Sequence, residues 1–198
     1  MPSCLAYLAG PDVFLPNAAQ HAAAKIAICA KYGITGRAPL HPEVERVMCL
    51  PRDAAWREIY RWDVEMMEAC AIVIANLTPF RGASADAGTL VEIGWFLGRG
   101  RPVFGYSNCA LPFAARSMAQ RSALPDPLEG LGVEGFDLPD NLMIPGAVEY
   151  GGGLSVILPP DDAARSFDAL DVFERCVAAV AGQLEFAAAR QLGGEAER

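Results

Sequence analysis

The chain has 198 residues and a formal net charge of −8, with 53% hydrophobic and 20% charged residues. This composition excludes a globally disordered chain, and the acidic balance argues against binding to nucleic-acid backbones or anionic membrane surfaces. No apolar run reaches the roughly 18 residues that a membrane span needs, and no basic stretch typical of a signal peptide precedes the first apolar run. We therefore expect a cytoplasmic protein with one domain over residues 1–190 and a frayed tail over residues 191–198.

Cysteine and histidine usage gives no sign of a metal centre. The six cysteines are scattered without a CxxC pair, and the histidines are His21 and His41. Zinc sites need clustered Cys or His ligands, so we expect no dedicated metal site. Because several cysteines lie within apolar runs, we expect buried free thiols in a reducing compartment.

The predicted elements alternate along the chain between short apolar strands and helices. Strands are predicted at residues 5–9, 38–40, 71–77, 102–106 and 154–158. Helices are predicted from a capping box at Asn17 to Gly33, from about Asp53 to Cys70, from Ala87 to Gly98, and from Asp161 or Asp162 onward, with residues 107–153 irregular. The alternation predicts an α/β fold, namely a single doubly wound, flavodoxin-like or Rossmann-like domain with a parallel sheet of about five strands flanked by helices.

The carboxyl ends of the predicted strands locate the expected site. Open parallel sheets bind ligands beyond these ends. The loops that follow Tyr7, Asn76 and Tyr106 are therefore the first candidates to contribute polar groups.

One carboxylate lies within an apolar stripe of the helix predicted at residues 53–70. Asp63 shares this stripe with Trp56, Ile59 and Met67 at spacings of three and four residues. A carboxylate among apolar groups is unfavourable unless it is paired or reached by water. Two interpretations stay open: a core aspartate paired with a backbone N–H or with Arg61, or an acid that faces a cleft with a raised pKa suited to proton transfer.

A second acidic segment follows the strand at residues 71–77. Asp86 is placed to cap the next helix, where its charge meets the positive end of the helix dipole. Glu92 lies one turn past Gly88, and the glycine is expected to leave room for another molecule above the carboxylate. The preceding loop offers backbone donors and one cation, Arg81. Glu92 is then either an exposed helix residue or part of a group of carboxylates suited to cleaving an acetal-type bond.

Five short motifs follow one another in a fixed order. They are Tyr7-Leu8-Ala9-Gly10-Pro11 with Phe14, Asp63 in its helix, Pro79-Phe80-Arg81-Gly82, Asp86-x-Gly88-Thr89-x-x-Glu92-x-Gly94, and the run 134–139 followed by Asn141-Leu142-Met143-Ile144. Each motif alone is modest, but the ordered set is specific. Over about residues 4–180 the set resembles the nucleoside 2-deoxyribosyltransferase family.

The resemblance implies a role for each matching residue. Glu92 matches the nucleophile that forms a covalent ester with the anomeric carbon of 2-deoxyribose, and Tyr7 matches the tyrosine that positions it. Asp86 and Asp63 match carboxylates that contact the nucleobase, one of which protonates the base as it leaves. Asn141 matches an asparagine that reaches the sugar 5′-hydroxyl in a neighbouring subunit's site, which implies a homo-oligomer. No metal or organic cofactor is implied.

Further substrate contacts are expected from five residues of the same motifs. These are Gly10, Phe14, Arg81, Gly88 and Met143. The chain departs from the family pattern at Ala71 and Asn76, where many relatives carry aspartates. We expect altered base contacts or a changed helix–strand junction there, with the chemistry retained.

Three functions remain open from the sequence. The first is transfer of 2-deoxyribose between nucleobases, with retention, through a glutamyl-deoxyribosyl intermediate, using 2′-deoxynucleosides and free bases as substrates. The second is hydrolysis of 2′-deoxynucleoside 5′-monophosphates. This is disfavoured because Pro11 donates no N–H and Asp12 is expected to repel phosphate. The third is a non-catalytic nucleoside- or nucleotide-binding module, which would gain nothing from a carboxylate aimed at the anomeric carbon.

Overall fold

Four parallel strands form the centre of the molecule. The computed structural model describes residues 4–123, 130 and 132–195. Its strands are β1 (Cys4–Tyr7), β2 (Ile34–Arg37), β3 (Ile72–Asn76) and β4 (Val103–Tyr106). They pair in the order β2-β1-β3-β4, so β1 and β3 are central. All five residues of β3 are buried, as expected for a strand covered on both faces.

Seven α-helices and one 3-10 helix surround the sheet in the described part of the chain. The 3-10 helix is Pro11–Phe14. The α-helices are α1 (Ala18–Lys31), α2 (Val44–Met48), α3 (Arg52–Ala69), α4 (Ala87–Gly98), α5 (Phe113–Ala123), α6 (Met143–Gly152) and α7 (Asp171–Glu195). None of the helices in the described ranges is both long and apolar enough to cross a lipid bilayer.

The sheet buries both of its faces against helices. On one face, Ala6, Ile72 and Phe104 belong to a core cluster with residues of α1 and α7. On the other face, Tyr7 and Val73 belong to a cluster with residues of α3, α4 and α6. This alternation follows from the two-residue period of a strand. The predicted α/β fold with helices on both faces is therefore confirmed. Packing on both faces fixes the sheet and, with it, the loops at its carboxyl-terminal edge.

Within the described residues the sheet has four strands, whereas about five were predicted. The segment predicted at residues 154–158 makes only an isolated parallel bridge between Ile157 and Tyr106. The backbone N–H of Ile157 donates to Gly105, and its carbonyl accepts from Ser107. The next donor in such a ladder would come from Pro159, which has no N–H, so the pairing stops. The weak strand predicted at residues 38–40 is not formed there; the observed strand, β2, covers residues 34–37 instead.

Two predicted segments and one predicted capping bond differ from the structure. Residues 107–153 are not irregular, because they contain α5 and α6. The last helix begins at Asp171, since the side-chain amide of Asn108 donates to the carbonyls of Ser166, Phe167 and Ala169 and holds the preceding segment in a loop. Asn17 occupies the N-cap of α1 without a side-chain capping bond.

The end of the chain and the thiols also differ in part from expectation. Helix α7 continues through residues 191–195 of the predicted tail, and residues 196–198 lie outside the described residues. All six cysteines are free. Cys29, Cys70 and Cys176 are buried, but Cys49 is exposed.

Candidate active site

A cavity of about 650 Å³ lies where the carboxyl ends of β1 and β2 face the start of α4. This volume is within the range of about 300–1,000 Å³ that is typical of small-molecule sites. Its lining residues are Gly10, Pro11, Val13, Phe14, Pro39, Leu40, His41, Val44, Met48, Ile59, Asp63, Asp86, Gly88, Thr89 and Glu92. The loop after Tyr106 contributes no residue to this described lining.

The hydroxyl of Tyr7 donates a hydrogen bond to Oε1 of Glu92 at 2.7 Å. Tyr7 ends β1 and is fully buried, with its ring stacked on Phe96 of α4 at a centroid distance of 6.0 Å. Burial raises the pKa of Tyr7 well above its usual range, so its hydroxyl remains a donor. Strand β1 and helix α4 therefore hold the tyrosine and the glutamate in register.

The Glu92 carboxyl is poorly solvated. Burial raises its pKa to about 7; the hydrogen bond from Tyr7 opposes this shift, and the negative charges of Asp63 and Asp86 add to it. The carboxyl groups of Asp63, Asp86 and Glu92 thus line the same cavity. The ionised form of Glu92 is unfavourable in these surroundings, so a reaction that removes its charge would be favoured.

Asp63 projects from α3 into the same cavity. Burial raises its pKa to about 6, closer to neutral pH than the pKa of an ordinary aspartate. The alternative pairing with Arg61 is wrong, because Arg61 binds Glu58 and Glu65. The predicted apolar stripe also fails at Trp56, which is 56% exposed.

Asp86 caps α4 as the sequence predicts, accepting a hydrogen bond from the backbone N–H of Thr89 at 3.2 Å. Gly88 lines the cavity beside it. A Cβ atom at this position would lie 2.9 Å from Oδ2 of Asp86. The glycine thus leaves space for the capping carboxylate, and its expected role of leaving room for a molecule above Glu92 stays a prediction.

Gly10 and Phe14 bring the loop after β1 to the cavity. Gly10 has φ +149°, and a Cβ there would lie 2.7 Å from Cβ of Asn76. Only glycine tolerates this backbone conformation and this close approach. The ring of Phe14 is 60% exposed and stacks on Phe80 at a centroid distance of 5.7 Å.

Arg81 does not line the cavity. Its guanidinium lies over the rings of Phe14 and Phe80, 4.8 Å and 4.6 Å from their centroids. The predicted cation therefore contacts a residue of the cavity wall instead of the cavity itself.

Asn141 and Met143 also lie outside the cavity of their own chain. The side-chain amide of Asn141 donates to Glu134 at 3.0 Å, and its oxygen accepts from the backbone N–H of Met143 at 3.1 Å. Met143 is 70% exposed. Their contribution to a neighbouring subunit's site stays a prediction.

The loop that carries Asp86 is anchored by a buried aspartate that the sequence did not single out. Asp140 accepts from the Ser84 hydroxyl at 2.6 Å and from the Ala85 backbone N–H at 2.8 Å. Arg116 donates to the carbonyls of Ala83 and Pro139, both at 2.7 Å. The two side chains thereby join the loop before α4 to the segment before α6.

A buried ion pair fixes the other loop. Nζ of Lys25, which is only 2% exposed, lies 2.7 Å from Asp12, and the side-chain amide of Asn76 donates to Asp12 at 2.9 Å. Burial opposes ionisation of Asp12, but Lys25 and hydrogen bonds hold its pKa below the usual range. Asn76 therefore supports Asp12 and is not among the described lining residues. The expectation that Asp12 repels phosphate is wrong, because Lys25 balances its charge and Asp12 does not line this cavity.

The segment after β2 was missed as part of the site. Pro39, Leu40, His41, Val44 and Met48 form one wall of the cavity. This segment has no regular apolar period, so sequence patterning gave no reason to place it there. In the described ranges no group of three or more His, Cys, Asp or Glu side chains has an arrangement suited to a metal ion.

Comparisons with known proteins agree with this fold. A 2-desoxiribosyltransferase structure from Leishmania mexicana is 26% identical, with a TM-score of 0.61 over 90% of this chain and 97% of that chain. A conserved protein from Enterococcus faecalis V583 is 19% identical, with a TM-score of 0.50 over 88% and 96% of the two chains, and supports the fold alone.

Sequence comparison adds a curated relative and a family. An uncharacterised protein from Schizosaccharomyces pombe is 34% identical over 103 residues, which are 52% of this chain and 49% of that protein. The chain thus spans about half the length of this curated relative. The family model described as "Nucleoside 2-deoxyribosyltransferase" matches residues 6–143, well over half of the chain. This chain belongs to the nucleoside 2-deoxyribosyltransferase family.

Proposed function

We propose that the chain transfers 2-deoxyribose between nucleobases, with 2′-deoxynucleosides and free bases as its substrates. The observation that carries the proposal is the hydrogen bond from Tyr7 to Glu92 inside a cavity that Asp63 also lines. A pure binding module would not need a desolvated carboxylate held in this way. The Leishmania mexicana structure, which is that of a 2-desoxiribosyltransferase, supports the same reaction class.

In the first step, Oε2 of ionised Glu92 bonds to the anomeric carbon while the bond from that carbon to the base nitrogen breaks. Oε1 is occupied by Tyr7, and Oε2 makes no hydrogen bond to a described residue. The electron pair of the broken bond goes to the base. Because 2-deoxyribose lacks an electron-withdrawing 2-hydroxyl, positive charge develops readily at the anomeric carbon and is stabilised by the adjacent carboxylate.

Asp63 supplies the proton that the leaving base nitrogen takes up. Its raised pKa keeps part of the population protonated near neutral pH. The base leaves neutral, and the sugar remains as an ester on Glu92. An acceptor base then attacks the anomeric carbon, returns its proton to Asp63 and frees Glu92, so two displacements give net retention.

Asp86 completes the site as the cap of α4 and as a contact to the base. Its carboxylate is fixed by Thr89 and faces the cavity beside Gly88. We also propose that the chain works as a homo-oligomer, in which Asn141 of one subunit reaches the sugar 5′-hydroxyl in its neighbour's site. The exposure of the adjacent Met143 and the absence of both side chains from the described lining of their own cavity support this arrangement.

Intact-protein mass spectrometry after mixing with deoxyinosine tests the central step. We expect a mass gain of one 2-deoxyribosyl group that maps to Glu92. Glu92→Ala should remove the adduct, whereas Glu149→Gln, a change at an exposed glutamate of α6, should keep it. Tight binding without an adduct or turnover would favour the binding module.

An acceptor-dependence assay separates transfer from hydrolysis. Deoxyinosine is incubated with and without free adenine, and products are separated by chromatography. Deoxyadenosine formed only with adenine supports transfer. Free 2-deoxyribose formed equally in both reactions would instead assign hydrolysis, with water resolving the ester on Glu92.

A further inference from the structure

His41 is the one residue among the described lining residues of the cavity whose side chain carries ionisable nitrogen atoms, and the proposed reaction does not use it. The ionisable neighbours that line the same cavity are the carboxyls of Asp63, Asp86 and Glu92. His41 therefore differs in chemistry from the other titratable groups in the described lining of the cavity.

The imidazole ring is held firmly in place. It stacks on Trp62 of α3 with a centroid distance of 3.7 Å and an interplanar angle of 17°. Trp62 is itself buried and packs with Val47 and Ala55. A ring supported in this way loses little additional freedom when a ligand binds it.

The hydrogen bonding of the ring fixes which nitrogen carries the proton. Nδ1 of His41 accepts the backbone N–H of Glu43 at 3.2 Å. A nitrogen that accepts a hydrogen bond has no proton, so the neutral ring carries its proton on Nε2. Nε2 makes no hydrogen bond to any residue in the described ranges. The ring thus offers a fixed, unused N–H donor.

His41 lines the same cavity as Asp63. Its stacking partner Trp62 directly precedes Asp63, the residue that we propose protonates the leaving base. Carboxyl groups, when protonated, can donate hydrogen bonds to the ring nitrogens of a base. An exocyclic carbonyl oxygen would be repelled by carboxylates and needs a separate N–H or O–H donor.

We propose that His41 is a base-specificity residue whose Nε2–H donates to an exocyclic carbonyl oxygen of the nucleobase. Bases with such an oxygen are then favoured over bases that lack it. The inference rests on the proposed function for its substrate class. It concerns recognition of the base and not the covalent step at Glu92.

Binding of two free bases to the full chain tests the inference without requiring turnover. Hypoxanthine carries a 6-oxo group, and purine has the same bicyclic ring without it. Dissociation constants are measured by calorimetry for both bases with the parent protein and two variants. His41→Phe keeps an aromatic ring on Trp62 but removes the donor, whereas His41→Gln restores an amide N–H on a flexible chain.

We expect the parent protein to bind hypoxanthine more tightly than purine. The dissociation constant of purine divided by that of hypoxanthine should fall about tenfold in His41→Phe, as for the loss of one hydrogen bond. This ratio should recover in part in His41→Gln. Comparing ratios isolates the coupling between His41 and the oxo group from other effects of the substitution.

An unchanged ratio in His41→Phe, equal weakening of both bases, or no binding of either base by the parent protein would overturn the inference. If the phenylalanine variant does not fold, His41→Ala provides the same ratio. The proposed covalent step at Glu92 is tested independently of the role of His41. A ratio that responds to His41 without any adduct at Glu92 keeps the specificity role and removes the transfer reaction.

Discussion

Two groups of buried charges lie at the same edge of the sheet, and they are arranged in opposite ways. Asp12 faces a cation, Lys25, at 2.7 Å and receives a further hydrogen bond from Asn76. Glu92 is poorly solvated, faces two other carboxyls and receives, from the described residues, a hydrogen bond from the Tyr7 hydroxyl alone. Accordingly, the pKa of Asp12 is lowered and that of Glu92 is raised. Pairing makes the first group a structural support, whereas burial, with a smaller contribution from the like charges of Asp63 and Asp86, disfavours ionisation of Glu92.

Removing the Glu92 carboxylate should produce the largest change in activity. Glu92→Gln keeps the size of the side chain but has no nucleophile, so we expect 2-deoxyribosyl transfer to fall by at least about a thousandfold. Stability should not fall, because a desolvated charge is lost. Transfer rates and thermal unfolding of parent and variant measure both effects. A variant that retains near-parental transfer would remove Glu92 from the nucleophile role.

Breaking the ion pair between Asp12 and Lys25 should lower stability, in contrast to the loss of activity expected for Glu92→Gln. Lys25→Met leaves Asp12 buried without its cation, so we expect the free energy of unfolding to fall by about 3 kcal/mol in urea titrations. Lys31→Met is the matched control, because Lys31 forms an exposed pair with Glu174 and should change stability by less than about 1 kcal/mol. Equal effects of the two substitutions would contradict a structural role for the buried pair.

Removing the Asp63 carboxyl should have a smaller effect on activity than removing that of Glu92. Asp63→Asn cannot protonate the leaving base, so we expect the rate of glycosidic cleavage to fall by about a hundredfold. Donors with an activated leaving group, such as p-nitrophenyl 2-deoxyriboside, need less protonation and should lose much less. Equal losses for both donors would show that Asp63 contributes binding alone.

A further expected effect is on the pH dependence of stability. Glu92 has an ordinary pKa of 4.5 and a folded value of about 7, so the folded state holds the extra proton in this interval. Its contribution to stability is present at lower pH and is lost as the pH rises through about 7. Asp12, with its pKa lowered, acts in the reverse direction and loses its contribution as the pH falls below its ordinary range.

Urea titrations across this range measure the difference. Between about pH 4.5 and about 7, Glu92→Gln should flatten the decline in the free energy of unfolding. The parent protein and Glu149→Gln should keep it. A slope that is the same in all three proteins would show that Glu92 titrates at its ordinary pKa in the folded state.

Local patterns were sufficient for the central strands and for α4. The wholly apolar run of β3 and the boundary of α4 at Asp86 depend on nearby residues, so both were predicted correctly. The residues expected to surround the substrate were predicted from the order of the short motifs along the chain. The structure brings Asp63, Asp86, Glu92, Gly10, Phe14 and Gly88 to one cavity, with Tyr7 bonded to Glu92.

Contacts between distant segments were not readable from the sequence. The pairing of Asp12 with Lys25 depends on how α1 packs, and the wall that includes His41 depends on stacking against Trp62. Arg81 had the right charge for a substrate contact, but its stacking on Phe14 is a tertiary feature. The late start of α7 depends on Asn108, which lies more than fifty residues away along the chain.

The single bridge at Ile157 has a consequence for how copies of the chain behave at high concentration. Pro159 and Pro160 follow it directly and supply no backbone donors. An exposed row of donors and acceptors at the edge of a sheet is a template for strand addition and aggregation. By ending the ladder after one residue, the two prolines deny an incoming strand the continuous register that it would need to extend the sheet from this side.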